Sequence, residues 1–180
     1  MARWVVKSAL ALLALPLVAF AAYDVLAYQS RHAEIAALLS RATAQERALP
    51  PALAHLTELS LGRDPAAQAT RLMLLELKVP QVARGMLGSH ATDFLWWACV
   101  SLHLSRQEQL AIVASRSYMG GGRCGYSAEA TSRFSRPLAA LSMEGSATLV
   151  LLARNPTAYE HAPQRLERSR AALLARVAGD

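Results

Sequence analysis

The sequence predicts a protein that is helical almost throughout, with an apolar N-terminal helix ahead of one compact domain. Apolar residues recur at helical spacing along most of the 180 residues. No alternation of apolar and polar residues is long enough to indicate a half-buried strand. The hydrophobic fraction is 53%, and its surplus is concentrated at the N-terminus. The length allows one domain, so we divide the chain into a transmembrane or signal helix, a juxtamembrane helical linker and the domain: residues 1–28, 29–49 and 50–180.

The N-terminal segment has the features of a membrane anchor. Arg3 and Lys7 precede a run without charges from Ser8 to Ala22. With its apolar flanks this run reaches the roughly 20 residues that cross a bilayer. Because basic residues stay on the cytoplasmic side, we expect a single-pass inner-membrane protein whose C-terminal domain lies in the periplasm. A cleaved signal peptide is the alternative, since residues 19–21 read AFA, a small-x-small pattern.

Helix breakers divide the next part of the chain. The apolar spacing predicts a helix over residues 31–48, which ends at LPP because the residue before a proline is pushed out of the helical region. Two more helices are predicted over residues 52–61 and 66–79, with GRDP between them. The segment PQVARGMLGSH that follows is expected to be looser.

The second half of the chain carries sharper start and stop signals. Thr92 is the predicted cap of a central helix that is buried all round, and Ser105 with Glu108 predicts a capping box at the next helix. The glycines of SYMGGGRCGYS lack the lysine and the preceding strand of a phosphate-binding loop, so they predict an interhelical bend with positive φ. Helices are then predicted over YSAEATSRF, SMEGSATLVLLA and PQRLERSRAALLARV, with an Asn-Pro start signal before the last.

The net charge and the spacing of the histidines and cysteines limit the kinds of molecule that the protein is expected to bind. The formal net charge is +6 at pH 7, but the basic residues form no stripe interleaved with aromatic residues, so no nucleic acid is expected. A basic domain beside a membrane favours anionic lipid head groups or a pyrophosphate, and membrane lipid is the predicted partner. The histidines and cysteines lack metal-ligand spacing, and neither metal nor cofactor is expected. Whether Cys99 and Cys124 pair stays open.

Four motifs in the second half occur in an order known from one enzyme family. The run from Leu104 to Val177 contains LSRQE, YMGGGRCG, FSR and NPTAY, and it ends in an arginine-rich helix. It resembles the C-terminal half of the peptidoglycan glycosyltransferases, which include monofunctional transglycosylases and the membrane-proximal domain of bifunctional penicillin-binding proteins. The resemblance implies a shortened version of their lysozyme-like, all-α fold.

The first half departs from this family where the catalytic residues lie. In active members a glutamate deprotonates a lipid-linked disaccharide, whose oxygen then displaces a lipid pyrophosphate. The resemblance places this general base at Glu58, but the aspartate beside it is Leu59 here. A second acidic residue of the family corresponds to Asp93. Two glutamines of the family are replaced by Met73 and Leu74, which we expect in the core.

The candidates for substrate binding are one threonine that matches the family and three nearby cations: Thr70, Arg71, Lys78 and Arg84. Their charges predict a cationic cleft. His90 and Asp93, spaced i, i+3, can bond to each other, although two residues do not make a metal site. Trp96 and Trp97 are expected in the core and on a membrane-facing surface, with sugar stacking as the other role.

Three functions stay open from the sequence. The favoured hypothesis is a transglycosylase-like membrane protein that has lost catalysis and binds a lipid-linked peptidoglycan precursor, a glycan or another cell-envelope protein. The second is a divergent active transglycosylase with Glu58 as the base and Asp93 assisting. The third is an unrelated helical envelope protein. One cleft shared by Glu58 and Asp93 favours the second hypothesis, and a cleft filled by Met73 and Leu74 favours the first.

Overall fold

The computed structural model describes residues 14–62, 64–83 and 85–179. These residues are mostly helical with little sheet, which confirms the all-α prediction. Within these ranges, no helix combines the length and the apolar character needed to cross a membrane. Arg3 and Lys7, on which the predicted topology depends, lie outside the described residues.

The N-terminal part is a helix followed by several short turns of helix. Its elements are α1 (residues 14–23), a π-helical turn (Asp24–Tyr28), a 3-10 turn (Gln29–Arg31), α2 (His32–Ser40) and α3 (Ala44–Arg47). The single helix predicted over residues 31–48 is therefore wrong. Thr43 interrupts it with a capping box, because the Thr43 hydroxyl accepts from the Glu46 N–H while the Glu46 carboxylate accepts from the Thr43 N–H.

Three longer helices follow: α4 (Pro51–Ser60), α5 (Pro65–Glu76) and α6 (Met86–His103). The first two begin with proline, which lacks the N–H that a first turn leaves unpaired. The predicted start of α6 at Thr92 is wrong, since six residues before it are already helical. The Thr92 hydroxyl instead donates to the Gly88 carbonyl and accepts from the Val82 N–H at 2.8 and 2.9 Å, which joins the preceding loop to the helix.

The glycine-rich segment forms a hairpin between two helices. In order, the elements are α7 (Arg106–Arg116), β1 (Tyr118–Gly120), β2 (Arg123–Cys124) and α8 (Tyr126–Phe134). The capping box of Ser105 and Glu108 is confirmed. Positive φ is confirmed as well, at Gly120, Gly121, Gly122 and Gly125. The simple bend that we predicted is nevertheless a small antiparallel pair of strands.

The C-terminal helices match the predicted segments. They are a 3-10 turn (Leu138–Ala140), α9 (Met143–Arg154), α10 (Pro156–Glu160) and α11 (Pro163–Gly179). The Asn155 side chain accepts from the Ala158 N–H, so the Asn-Pro signal does start a helix.

Two apolar clusters make up the core. The first joins α4, α8, α9 and α11 and includes Leu56 and Leu149. The second joins α2, α5, α6 and α7 around Trp96, which is fully buried as predicted. Helix α7 contributes Ala114 to the first cluster and Ile112 to the second. It therefore holds the two halves of the fold together.

Only one face of α6 belongs to this core. Cys99 and Val100 on the inner face are buried, whereas the outer face exposes large apolar side chains along its whole length. The prediction that this helix is buried all round is therefore wrong. Periodicity alone does not distinguish an apolar helix that is surrounded by protein from one whose second face is left uncovered.

Candidate functional site

The predicted general base, Glu58, lies in a surface ion pair. Its Oε1 accepts from the Nε of Arg106 on α7 at 2.5 Å. This hydrogen bond is the main cause that lowers the pKa of the Glu58 carboxyl. A general base works best with a pKa near the operating pH and a lone pair that reaches the substrate. The arginine does the opposite, since it stabilises the charged carboxylate and occupies one of its oxygens.

Other predicted residues meet in a pocket of about 420 Å³ between α5 and α6. We call it the aromatic pocket, and its wall consists of Asp64, Ala67, Thr70, Arg71, His90, Asp93, Phe94 and Trp97. Thr70 and Arg71 on α5 are thus brought together with Asp93 on α6, which the sequence placed in a separate segment. Glu58 is not part of this wall. The condition that favours an active enzyme, one cleft shared by Glu58 and Asp93, is not met by this pocket.

Helical spacing and one cap explain how the pocket forms. Ala67 and Arg71 lie on one face of α5, and His90, Phe94 and Trp97 follow one another at i, i+4 and i+7 on α6. Asp64 fastens the two helices together. Its Oδ1 accepts from the Ala67 N–H at the start of α5, while its Oδ2 accepts from the Trp97 indole N–H at 3.1 Å.

The aromatic side of the pocket is open to solvent. The rings of Phe94 and Trp97 lie 5.8 Å apart between centroids, tilted by 36°, and their side chains are 63% and 37% exposed. Exposed aromatic rings of this kind offer a flat apolar surface, and the Trp97 N–H is already bonded to Asp64. The arrangement suits a ligand with one apolar face and a hydroxyl-rich edge.

The charge of the pocket wall is negative. Arg71 contributes one positive charge and Asp64 and Asp93 two negative charges, which gives −1 when His90 is neutral. Lys78 is exposed just after the end of α5, with a φ of 48°, and is not part of the wall. Arg84 lies outside the described residues. Of the predicted cations that the structure describes, Arg71 lies in this wall and Lys78 does not.

The two positions that the resemblance aligns with family glutamines are apolar and inward. Met73 is fully buried in the second core cluster and Leu74 packs against that cluster, as predicted. Thr70 is also nearly buried, and its hydroxyl has no hydrogen-bond partner among the described residues. This stretch of α5 therefore presents Arg71 as its charged group to the pocket.

Arg71 also borders a second pocket, of about 360 Å³, on the other side of α5. Three helices end at the wall of this pocket: α4 at Ser60, α7 at Ser117 and α9 at Arg154. The Arg154 side chain is the second cation of this wall. Each helix C-terminus carries about half a negative charge. The negative charges of the three helix ends offset most of the positive charge of the two guanidinium groups, so this pocket is not a strongly cationic site.

The cysteines do not pair. Cys99 is buried on the inner face of α6, and Cys124 is exposed on the hairpin. Burial is the main cause that raises the pKa of the Cys99 thiol to about 12. Within the described residues, no three His, Cys, Asp or Glu side chains are placed to hold a metal ion.

Three members of the aromatic pocket are not predicted from the sequence: Asp64, Ala67 and Phe94. The Asp-Pro pair in GRDP predicts a helix break, and an aspartate before a proline is also a start signal for a helix. Phe94 lies three residues before Trp97, so helical spacing places the two rings on one face. That Asp64 reaches Trp97 depends on how α5 packs against α6, and no local pattern reports it.

Comparisons of the chain with models of protein families, with curated proteins and with solved structures found no match. The resemblance to the peptidoglycan glycosyltransferases therefore stays a prediction from the motifs.

Proposed function

We propose that this chain is a non-catalytic, transglycosylase-like protein of the bacterial cell envelope that binds a glycan in the aromatic pocket. The observation that carries the proposal is the separation of the two predicted acidic residues. Asp93 lies in a pocket with exposed aromatic rings, whereas Glu58 is paired with Arg106 outside it. A pocket with binding groups but without the expected base supports recognition of a sugar and not its transfer.

The groups in the wall suit an uncharged sugar. The C–H face of a pyranose ring packs on an aromatic ring, and its hydroxyls donate to carboxylates such as Asp93, which in the ionised form only accepts. A pyrophosphate is a poorer match. Two like unit charges at 4 Å repel by about 1 kcal/mol in water and about 4 kcal/mol near a protein surface, and the wall carries a net negative charge.

Of the ligands that the sequence left open, the geometry thus favours a glycan strand over the pyrophosphate end of a lipid-linked precursor. The protein is held at the inner membrane by its N-terminal segment, with the domain in the periplasm. The topology follows from the charges of the N-terminus, Arg3 and Lys7. The alternative partner for the aromatic pocket is another cell-envelope protein.

A titration calorimetry experiment tests the proposal with an uncharged probe, a β-1,4-linked tetramer of N-acetylglucosamine, added to the full chain in lipid nanodiscs. We expect Trp97→Ala and Asp93→Asn each to weaken binding about tenfold or more, which corresponds to about 1.4 kcal/mol. Tyr118→Ala, which removes an exposed aromatic ring from the hairpin, is the control and should bind as the parent does. Equal binding by all four proteins, or none by the parent, contradicts the proposal.

A polymerisation assay with the lipid-linked disaccharide tests the active alternative. Removing one preorganised donor from a transition state costs about 100-fold to 1000-fold in rate. Here the paired glutamines are replaced by Met73 and Leu74 and the base is engaged by Arg106, so no glycan polymer is expected. Polymer that forms with the parent and disappears with Glu58→Gln reverses this conclusion.

A further inference from the structure

The second pocket, of about 360 Å³, lies where the two halves of the fold meet. Its wall takes Tyr126 and Val150 from the first core cluster and Val113 from the second. Small-molecule sites are concave, occur between packed helices and have volumes of about 300 to 1,000 Å³. We call this the junction pocket, and it is large enough for a small ligand.

Two hydroxyl groups of this wall lack a bonding partner. Ser60 ends α4, and Ser117, which is only 2% exposed, caps the end of α7. In both residues the Oγ atom is buried and has no hydrogen-bond partner among the described residues. A buried hydroxyl without a partner costs free energy, and the large majority of such groups in proteins are paired. These two groups therefore point to a molecule bound at the junction pocket.

Two cations of the wall are not engaged within the fold. Arg71 lies on α5 and Arg154 at the end of α9, both exposed, and the ion pairs among the described residues include neither of them. A guanidinium group forms two parallel hydrogen bonds with a carboxylate, and such charge-assisted bonds are stronger than neutral ones. The junction pocket thus offers a place for a carboxylate.

The same wall also offers acceptors to a cation. Helices α4, α7 and α9 end there, and the last turn of a helix leaves carbonyl oxygens without an N–H partner in the helix. An ammonium group has three N–H donors and no acceptor. Because the helix ends offset most of the charge of the two arginines, a phosphate dianion gains little here. A ligand with one charge of each sign uses both parts of the wall.

Much of the remaining wall is apolar. Its apolar members are Leu61, Leu72, Leu75, Val113, Val150 and Ala153. Because removing apolar surface from water is favourable, these side chains favour a ligand with a hydrocarbon side chain. The wall therefore suits a small molecule that carries a carboxylate, an ammonium group and an apolar side chain.

We propose that the junction pocket binds a free α-amino acid with an apolar side chain. Its carboxylate pairs with Arg71 and Arg154, and its ammonium group donates to carbonyl oxygens at the helix ends. The hydroxyls of Ser60 and Ser117 supply further hydrogen bonds. A residue within a peptide does not carry both charges on one carbon, so the ligand is the free amino acid. The site stands whether or not the aromatic pocket binds a sugar.

Titration calorimetry on the full chain in lipid nanodiscs tests this site with L-leucine. Two analogues of similar size each lack one charge, since 4-methylpentanoate has no ammonium group and L-leucinamide has no carboxylate. L-serine keeps both charges but lacks the apolar side chain. We expect L-leucine to bind, and each of the other three compounds to bind at least about tenfold more weakly.

Three variants test the wall. Arg154→Gln and Ser117→Ala are each expected to weaken L-leucine binding about tenfold, and Arg154 is chosen because Arg71 also borders the aromatic pocket. Ser117→Ala should not lower the melting temperature of the ligand-free protein, because the hydroxyl that it removes has no partner among the described residues. Arg168→Gln, at an exposed position of α11 outside the wall, is the matched control and should bind as the parent does.

The absence of L-leucine binding by the parent overturns the proposal. Equal binding of any of the three comparison compounds also overturns it, because the pocket then does not require both charges and the apolar side chain. Binding like the parent's by both Arg154→Gln and Ser117→Ala does so too, since the amino acid then lies elsewhere. None of these readouts uses an oligosaccharide, so this result and that of the sugar titration are independent.

Discussion

The hairpin junction and the aromatic pocket both contain carboxylates, yet the two regions use them differently. At the hairpin, Glu129 is completely buried and accepts from the Nε atoms of Arg123 and Arg133, both at 2.7 Å. Both carboxylate oxygens are paired with arginines, and the pair with Arg123 holds β2 against α8. In the pocket, Asp93 is exposed beside two aromatic rings.

This difference separates buried carboxylates that join elements of the fold from a carboxylate that is exposed to solvent. Glu46 belongs with Glu129, since it is almost buried and accepts from the N–H groups of Thr43 and Ser127, which ties α3 to the start of α8. A buried carboxylate keeps its charge only when such partners surround it. Asp93 on the α5–α6 face is exposed, so water solvates its charge instead.

The largest expected difference between the two regions is in thiol reactivity. Cys99 is buried on the inner face of α6, and burial raises the pKa of its thiol to about 12, so its thiolate fraction near pH 8 is roughly 1000-fold below that of an ordinary thiol. We expect iodoacetamide to modify Cys124 in the native protein and both cysteines only after unfolding. Mass spectrometry of the alkylated peptides measures this. Rapid native modification of Cys99 argues against the packing of α6.

Replacing the buried carboxylate is expected to destabilise the hairpin junction most. Glu129→Ala removes a buried side chain and both of its charge-assisted hydrogen bonds, while the two arginines, each 40% exposed, can turn to solvent, so we expect a loss of about 2 kcal/mol of unfolding free energy. Asp93→Ala in the aromatic pocket should stay within about 0.5 kcal/mol, as an exposed position does. Urea unfolding of both variants compares them. Equal losses contradict the distinction between the two regions.

A pair of glycine substitutions separates backbone strain from crowding. Gly125→Val is expected to cost roughly 1 to 3 kcal/mol, because φ is +93° and a Cβ would lie 2.9 Å from the Glu46 Oε1 and 3.2 Å from the Ser115 carbonyl oxygen. Gly122→Val has a φ of +76° with nothing within 4 Å of the Cβ. Gly122→Val should lower the free energy of unfolding by less than Gly125→Val, because only backbone strain contributes. Unchanged melting temperatures for both variants count against the positive φ values.

The smallest effect concerns Glu58. Its carboxyl pKa is lowered, so the pair with Arg106 contributes fully above the unfolded pKa of a glutamate and is lost as the pH falls through the folded pKa. Glu58→Gln should cost less than about 1 kcal/mol at pH 7, because the arginine is largely exposed. The two proteins should have the same free energy of unfolding in acid, at a pH below the usual pKa range of a glutamate carboxyl. A difference that grows in acid contradicts this pair.

Local signals predicted most of the helices but not their limits in the first half. The capping box of Ser105 and Glu108 and the Asn-Pro signal at residue 155 involve groups within one turn of each other, and both hold in the structure. The break at Thr43 was missed although the Thr-x-x-Glu pattern is present, because the apolar spacing ran through it. The start of α6 was missed because Gly85 and Gly88 argued against a helix there.

The sequence by itself determined the all-α fold, the positive φ at the glycines and the inward positions of Met73 and Trp96, since these depend on spacing and on backbone preferences close to each residue. Only the tertiary structure decided which acidic residue faces a pocket. Glu58 meets Arg106 because α4 lies near the start of α7, and Asp64 meets Trp97 because α5 lies along α6. Contacts between residues 33 to 48 positions apart are created by packing, and no local pattern contains them.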